Sequence, residues 1–137
     1  MNWTLEVVCV PVTDVDRAVA FYGEQLGFKV DHDTTVSDDI RIVQLTPPGS
    51  GCSIVVGKGM VNMPPGSLEG LQLVVPDIKE AHAELVGRGV EITGIQVYDK
   101  DGLRPSREGD ALDNVGFLYF SDPDGNSWAV QQISARG

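Results

Sequence analysis

The sequence predicts an α+β fold in which two βαβββ modules form a half-open barrel around a shared cleft. Three observations predict it. An apolar run, Val7-Val8-Cys9-Val10, leads through Val12-Thr13-Asp14-Val15-Asp16-Arg17-Ala18 into a helical stretch ending at Leu26-Gly27-Phe28. The same order returns as Leu71-Gln72-Leu73-Val74-Val75, Pro76-Asp77-Ile78-Lys79-Glu80-Ala81 and Arg88-Gly89-Val90. Each half then closes on a turn, Pro47-Pro48-Gly49-Ser50 or Pro123-Asp124-Gly125-Asn126, followed by a strand-like run. A unit that occurs twice implies a paired structure.

Residues 5–12 are mostly apolar and β-branched and read as a strand. Thr13-Asp14 supplies a helix cap, the apolar positions Ala18, Val19, Phe21, Tyr22 and Leu26 fall near helical spacing, and Gly27 ends the helix. A strand opens at 28–30, and the polar stretch 31–39 reads as a turn or loop. Residues 40–46 and 52–56 form a hairpin around the Pro-Pro-Gly turn. Glycines and prolines mark a linker at about 58–68. Module one thus spans about 1–57 and module two about 69–137. The second module repeats the order: a strand at 70–75, a helix from Ile78 capped by Pro76-Asp77, and a strand at 90–98 interrupted by Gly94. A long polar loop at 99–113 and strands at 115–120 and 128–133 complete it. Each short sheet buries one face under its own helix, which leaves the other face available to a ligand.

With 137 residues and 42% hydrophobic content, the chain suits one well-filled domain of two half-size modules. No run approaches the roughly 18 apolar residues of a membrane span, and the N-terminus lacks a secretory pattern, so the cytoplasm is the expected location. Twenty acidic against ten basic side chains give a formal charge of −10. That charge repels nucleic acid and anionic membranes and suits a cationic guest, although acidic surfaces also serve solubility alone. Cys9 and Cys52 are too few for a disulfide framework and lack metal-type spacing.

The stretch from Val12 to Tyr22 with Leu26-Gly27-Phe28, the Phe120-Ser121-Asp122-Pro123-Asp124-Gly125-Asn126 turn and the duplicated module resemble the vicinal oxygen chelate superfamily, which includes glyoxalase I, bleomycin resistance proteins and extradiol dioxygenases. The resemblance covers essentially the whole chain. It implies paired βαβββ modules, usually a homodimer, and in the enzymes a divalent metal held by His, Gln or Glu from the first and last strands of each module. Seven residues before the capping Asp14 and Asp77 lie Val7 and Gly70; four residues after the turn glycines Gly49 and Gly125 lie Ser53 and Ala129. These side chains suit a catalytic ion poorly. A register slip of two substitutes Cys9, Val55, Gln72 and Gln131, which include no carboxylate and no imidazole. His32, in a polar stretch, and His82, inside the second helix, do not repair the deficit. No metal site and no cofactor are expected.

The candidate ligand-binding residues are Gln72, Gln131, Cys9, Ser53, Val7, Trp128 and Arg41. Gln72 stands between Leu71 and Leu73, so its amide points away from them and requires partners. Gln131 invites the same argument. Arg41 and Gln44 share a strand but face opposite ways, so at most one lines the cleft. Trp128 and Tyr119 offer rings to a flat ligand or to the core. The 99–113 loop, with Arg104 and Arg107, reads as a flap or a plain surface loop. Asp122, Asp124 and Asn126 read as a turn rather than a cation site. The functional expectation is metal-independent binding and sequestration of a partly apolar small organic molecule, with a cationic one suited to the acidic charge. A metal-independent isomerase or cyclase is the alternative, and a metal-dependent lyase or dioxygenase is the reading least supported by the donor set.

Overall fold

The computed structural model describes residues 1–136. In chain order the elements are β1 (Val7–Val10), α1 (Val15–Val19) continued by a wider helical segment (Ala20–Gln25), β2 (Lys29–Ser37), β3 (Ile40–Thr46) and β4 (Ser53–Lys58). They continue with β5 (Leu71–Val75), α2 (Ile78–Gly87), β6 (Gln96–Asp99), β7 (Gly102–Pro105), β8 (Gly116–Ser121) and β9 (Ser127–Gln132). The strands form two mixed sheets, ordered β1-β4-β3-β2 and β5-β9-β8-β6-β7, and neither closes into a barrel. In each sheet the module's first strand runs parallel to its last, β1 with β4 and β5 with β9, and the other pairings are antiparallel. Among the described residues no helix is long and apolar enough to cross a membrane.

Both helices start where the sequence places their caps. The Asp14 carboxylate accepts the Arg17 N–H at 3.1 Å, and that of Asp77 accepts Lys79 and Glu80 N–H at 3.0 and 3.2 Å. Such caps contribute about 1 kcal/mol each. Gly27 (φ 78°) and Gly89 (φ 80°) take the left-handed conformation just past the two helical runs, which a Cβ would disfavour. The first helix widens after Val19. Leu26 N–H reaches back five residues to the Phe21 carbonyl at 3.0 Å, and Phe21 and Tyr22 are both buried along this segment.

Two loops expected from the sequence contain strands. Residues 31–39 lie largely within β2, which pairs with β3 from Lys29↔Thr46 to Ser37↔Ile40. Its side chains are exposed on both faces, so backbone pairing and the β-branched Thr34, Thr35 and Val36 form the strand without any apolar alternation to announce it. The 99–113 loop contributes β7, an edge strand paired with β6, which adds a strand to the expected βαβββ order. Arg104 on β7 ties that hairpin down, bonding Asp99 at 2.8 Å and both oxygens of Asp110 at 2.9 Å.

The chain divides into two compact units, residues Met1–Leu68 with Asp122–Asn126, and Glu69–Ser121 with the chain from Ser127 onward. The Asp-Pro-Asp-Gly-Asn turn therefore counts with the first unit, where Asp122 is a buried hub. One of its oxygens accepts the N–H groups of Asp124, Gly125 and Asn126, each at 2.9 Å. The other accepts Tyr22 Oη–H at 2.8 Å and Asn126 Nδ2–H at 2.7 Å. Asn126 also donates to the Pro11 carbonyl at 2.8 Å and accepts Leu68 N–H at 3.0 Å. With so many protein donors on Asp122, the motif is a structural turn.

Two outcomes follow from these contacts. Tyr22→Phe removes one donor from a buried carboxyl and should lower unfolding stability by about 1–3 kcal/mol in urea melts; an unchanged midpoint would show that the hub does not depend on it. Arg104 holds the Asp110 carboxyl well below the usual carboxylate range, helped by the Arg107 N–H; Asp99 is lowered first by the Asp101 N–H and then by Arg104. Because the folded values lie below the unfolded ones, this stabilisation is complete above the ordinary aspartate pKa of about 4 and is lost as pH falls further. Hydrogen-exchange protection over 99–110, corrected for intrinsic rates, should stay flat from about pH 7 to 5 and then fall, whereas Arg104→Met should lack it already at neutral pH.

Candidate functional site

Strand register assigns each candidate residue to a face. In the first unit Val7↔Ser53 and Cys9↔Val55 are parallel partners, and Gln44 lies opposite Val55, so Val7, Cys9, Ser53 and Gln44 share one face. Ser53 is buried at 6% exposure. Its hydroxyl lies 2.6 Å from that of Thr46, which in turn donates to Asp31. With the Thr46 proton committed to the carboxylate, Ser53 donates to Thr46 and keeps only acceptor lone pairs.

Arg41 does not join this group. It shares a face with Val43 and Leu45, the side that carries α1, and its guanidinium is spent on Asp33 through Nε and Nη2 and on Asp16 through Nη1. These bonds, to Asp33 first and then Asp16, raise its pKa further and hold it charged. Arg41 lines a recess of about 730 Å³ with Val12, Asp14, Met60, Met63 and Pro65. That recess is large enough to admit a small molecule. Its cationic groups are engaged within the protein: Arg41 is neutralised by its own carboxylates, and Lys58 on the same wall already donates to the Asp38 carbonyl at 2.8 Å.

In the second unit the faces separate more sharply. Trp128, Val130, Leu118 and Phe120 form one side, buried at 5% exposure or less. The Ile78 N–H at the start of α2 bonds to the Gln132 side chain on this same side at 3.0 Å, which identifies it as the helix face. Trp128 stacks on Phe120, ring centroids 5.9 Å apart and nearly parallel. It is therefore a core residue and cannot meet a ligand beside Gln72, because adjacent strand positions point to opposite faces.

The other side is open. Gln72↔Ala129↔Tyr119 form one cross-strand row, and Val74↔Gln131↔Phe117↔Gln96 form the next. Tyr98 extends the aromatic surface: its ring meets Phe117 edge to face at 5.4 Å, and Phe117 lies parallel to Tyr119 at 6.3 Å. Val74, Tyr98 and Leu103 remain 38%, 48% and 40% exposed. Between Gln72 and Tyr119 stands only the methyl group of Ala129, so two strand spacings, roughly 10 Å, are floored by a small apolar residue. Desolvation chiefly, and Tyr98 secondarily, raise the Tyr119 pKa, so it remains a neutral phenol at physiological pH. Gln72 is exposed, not buried as its apolar neighbours suggest. Its Nε2 donates to Gln131 Oε1 at 2.5 Å, and Gln131 Nε2 donates to the Asn114 carbonyl at 2.7 Å.

Gln72 and Gln131 are thus brought together in one unit, as are Val7, Cys9 and Ser53 in the other, while Arg41 and Trp128 lie on the helix faces. Phe117 and Tyr98 are absent from the candidates drawn from the sequence. The alternation of Phe117, Tyr119 and Gln131 against Leu118, Phe120 and Val130 carries the signal that would have found Phe117. The donor chemistry does not fit a catalytic divalent ion: the strand positions offer Val7, Ser53, Ala129, Cys9, Gln72 and Gln131. Among the described residues no cluster of three or more His, Cys, Asp or Glu side chains assembles. His32 lies exposed on β2, and His82 is half-buried on α2.

The model of the Glyoxalase/Bleomycin resistance protein/Dioxygenase superfamily matches residues 4–130. Among solved structures, TnmS3, an antibiotic binding protein from Streptomyces sp. CB03234, is 32% identical with a TM-score of 0.75, over 97% of this chain and 98% of its own. A glyoxalase/bleomycin resistance protein from the same organism is 32% identical with a TM-score of 0.72, over 94% of this chain and 100% of its own. A superfamily member from Sphaerobacter thermophilus DSM 20745 is 27% identical with a TM-score of 0.74, over 96% and 98%. None of the curated proteins matches. With the family model spanning most of the sequence and both sheets built as parallel-closed modules, the chain belongs to the glyoxalase/bleomycin resistance protein/dioxygenase superfamily.

Proposed function

We propose that this protein binds and sequesters a small organic molecule with a flat, partly apolar ring system on the open face of its second unit, without a metal ion. The observation that carries the reading is the aromatic run of exposed Tyr98 and half-buried Phe117 and Tyr119 beside the Ala129 floor. Rings that already stack on one another offer a further flat ring the same offset or edge-on contacts, worth about 0.5–1.5 kcal/mol per pair beyond area burial. The similarity to TnmS3, an antibiotic binding protein, supports a small-molecule role, and the net charge of −10 favours a cationic guest.

Binding is favoured over turnover because this face presents Gln72, Gln96 and Gln131 but no carboxylate or imidazole, and Tyr119 keeps its proton. Among the described residues this face therefore offers no general base. Metal independence rests on the donor set, in which neutral amides and hydroxyls outnumber the single thiol. A homodimer belongs to the same reading, supported by the exposed Trp3 and Leu5 near the N-terminus.

A thermal-shift panel of planar heteroaromatic compounds, neutral and cationic, checks the binding. A ligand present at about 100 times its Kd should add roughly 2.7 kcal/mol of stability. Ala129→Leu should fill the floor and weaken that ligand at least tenfold by calorimetry while the unliganded melt shifts little, and EDTA should leave the affinity unchanged. A panel without any stabilising ring compound, or an affinity abolished by chelation, would overturn the proposal.

A further inference from the structure

The backbone fixes the hydrogen-bond polarity of the amide pair on this open face. The Asn114 carbonyl is an acceptor only, so the group that Gln131 turns towards it, 2.7 Å away, is the NH2 of the amide. Gln131 consequently presents its Oε1 towards Gln72. That oxygen in turn requires a donor, which Gln72 supplies with Nε2 at 2.5 Å. The direction set by one main-chain carbonyl is relayed through two side chains, and Gln72 Oε1 is left at the end of the chain. Gln72 is exposed, and no protein group among the described residues donates to this oxygen. Gln72 stands across the Ala129 position from Tyr119 in the cross-strand row.

Resting on the ring-binding reading above, we infer that the amide relay Asn114–Gln131–Gln72 makes this face selective for flat ring compounds that carry a hydrogen-bond donor, a hydroxyl or N–H, on the edge that meets Gln72. A ring whose only polar edge group is an ether or carbonyl would meet an acceptor with an acceptor. Each partner would then lose its water without gaining a bond. Gln72 acts here as a specificity-determining residue, and Gln131 as the positioning residue that keeps the Gln72 amide from turning over.

The probes are 6-hydroxyquinoline and 6-methoxyquinoline, which share a ring and differ in the donor, titrated calorimetrically into the whole protein. A net hydrogen bond of about 1 kcal/mol corresponds to roughly fivefold, so the hydroxy compound should bind at least about fivefold more tightly. The preference should shrink towards unity in Gln72→Leu, which removes the acceptor, and in Gln131→Leu, which frees the Gln72 amide to rotate. Both positions are on the open face, so retained melting curves serve as the control on folding. Equal affinities in the native protein, or a preference for the methyl ether, would overturn the inference while leaving ring binding intact. A preference that survives in Gln131→Leu would overturn the relay. Failure of both probes to bind at about millimolar concentration would overturn this inference, whereas the ring-binding reading falls only if the wider panel yields no stabilising ring compound.

Discussion

The buried carboxyl of Asp122 is the constraint on which the first unit depends. Five donors converge on its two oxygens, three of them the N–H groups of the turn that follows it. Asn126, fully buried beside it, returns hydrogen bonds to Pro11 and Leu68. A group of this kind is costly to leave half satisfied, because desolvation has already been incurred and only complete pairing offsets it. Among the described residues no buried side-chain nitrogen or oxygen lacks a partner. The Asp-Pro-Asp-Gly-Asn sequence is thereby committed to architecture, and its resemblance to a cation-binding run has no chemical content.

Outside this hub, Val7, Cys9 and Ser53 in the first unit and Gln72 and Gln131 in the second stand on the sheet faces that carry no helix. Their character differs between the two units. In the first, Val7, Cys9 and Gln44 share the face with a hydroxyl relay that ends on the Asp31 carboxylate. In the second, aromatic rings surround an amide relay that starts from a main-chain carbonyl. Both relays terminate in an acceptor, for the same reason: a group that can only accept sits at the far end and dictates the direction of every proton between. The hydroxyls and amides on these faces are hydrogen-bonding groups, and among the described residues no cluster of three or more His, Cys, Asp or Glu side chains assembles.

The helix faces show how misleading residue type can be without register. Trp128 and Arg41 are chemically attractive, one a large ring and the other a delocalised cation. Each is one strand position out of phase with the open face. Trp128 consequently serves the core, and Arg41 is paired with Asp16 and Asp33.

Much of the architecture was legible in the linear chain. Repeated strand and helix signals, the aspartate caps, the glycines past each helix and the two proline-containing turns specify two similar modules, because these features act over a few residues and need no distant partner. The family resemblance was legible for the same reason. What tertiary structure decided was everything that depends on pairing. β2 exists because β3 offers it hydrogen bonds, although its own side chains are exposed on both faces, and β7 exists because Arg104 and β6 hold it. The directions of the Gln72 and Gln131 amides depend on Asn114, a residue distant in sequence from Gln72 that the fold brings within reach. Local propensity is written residue by residue, whereas strand register and hydrogen-bond polarity are properties of neighbours that only folding supplies.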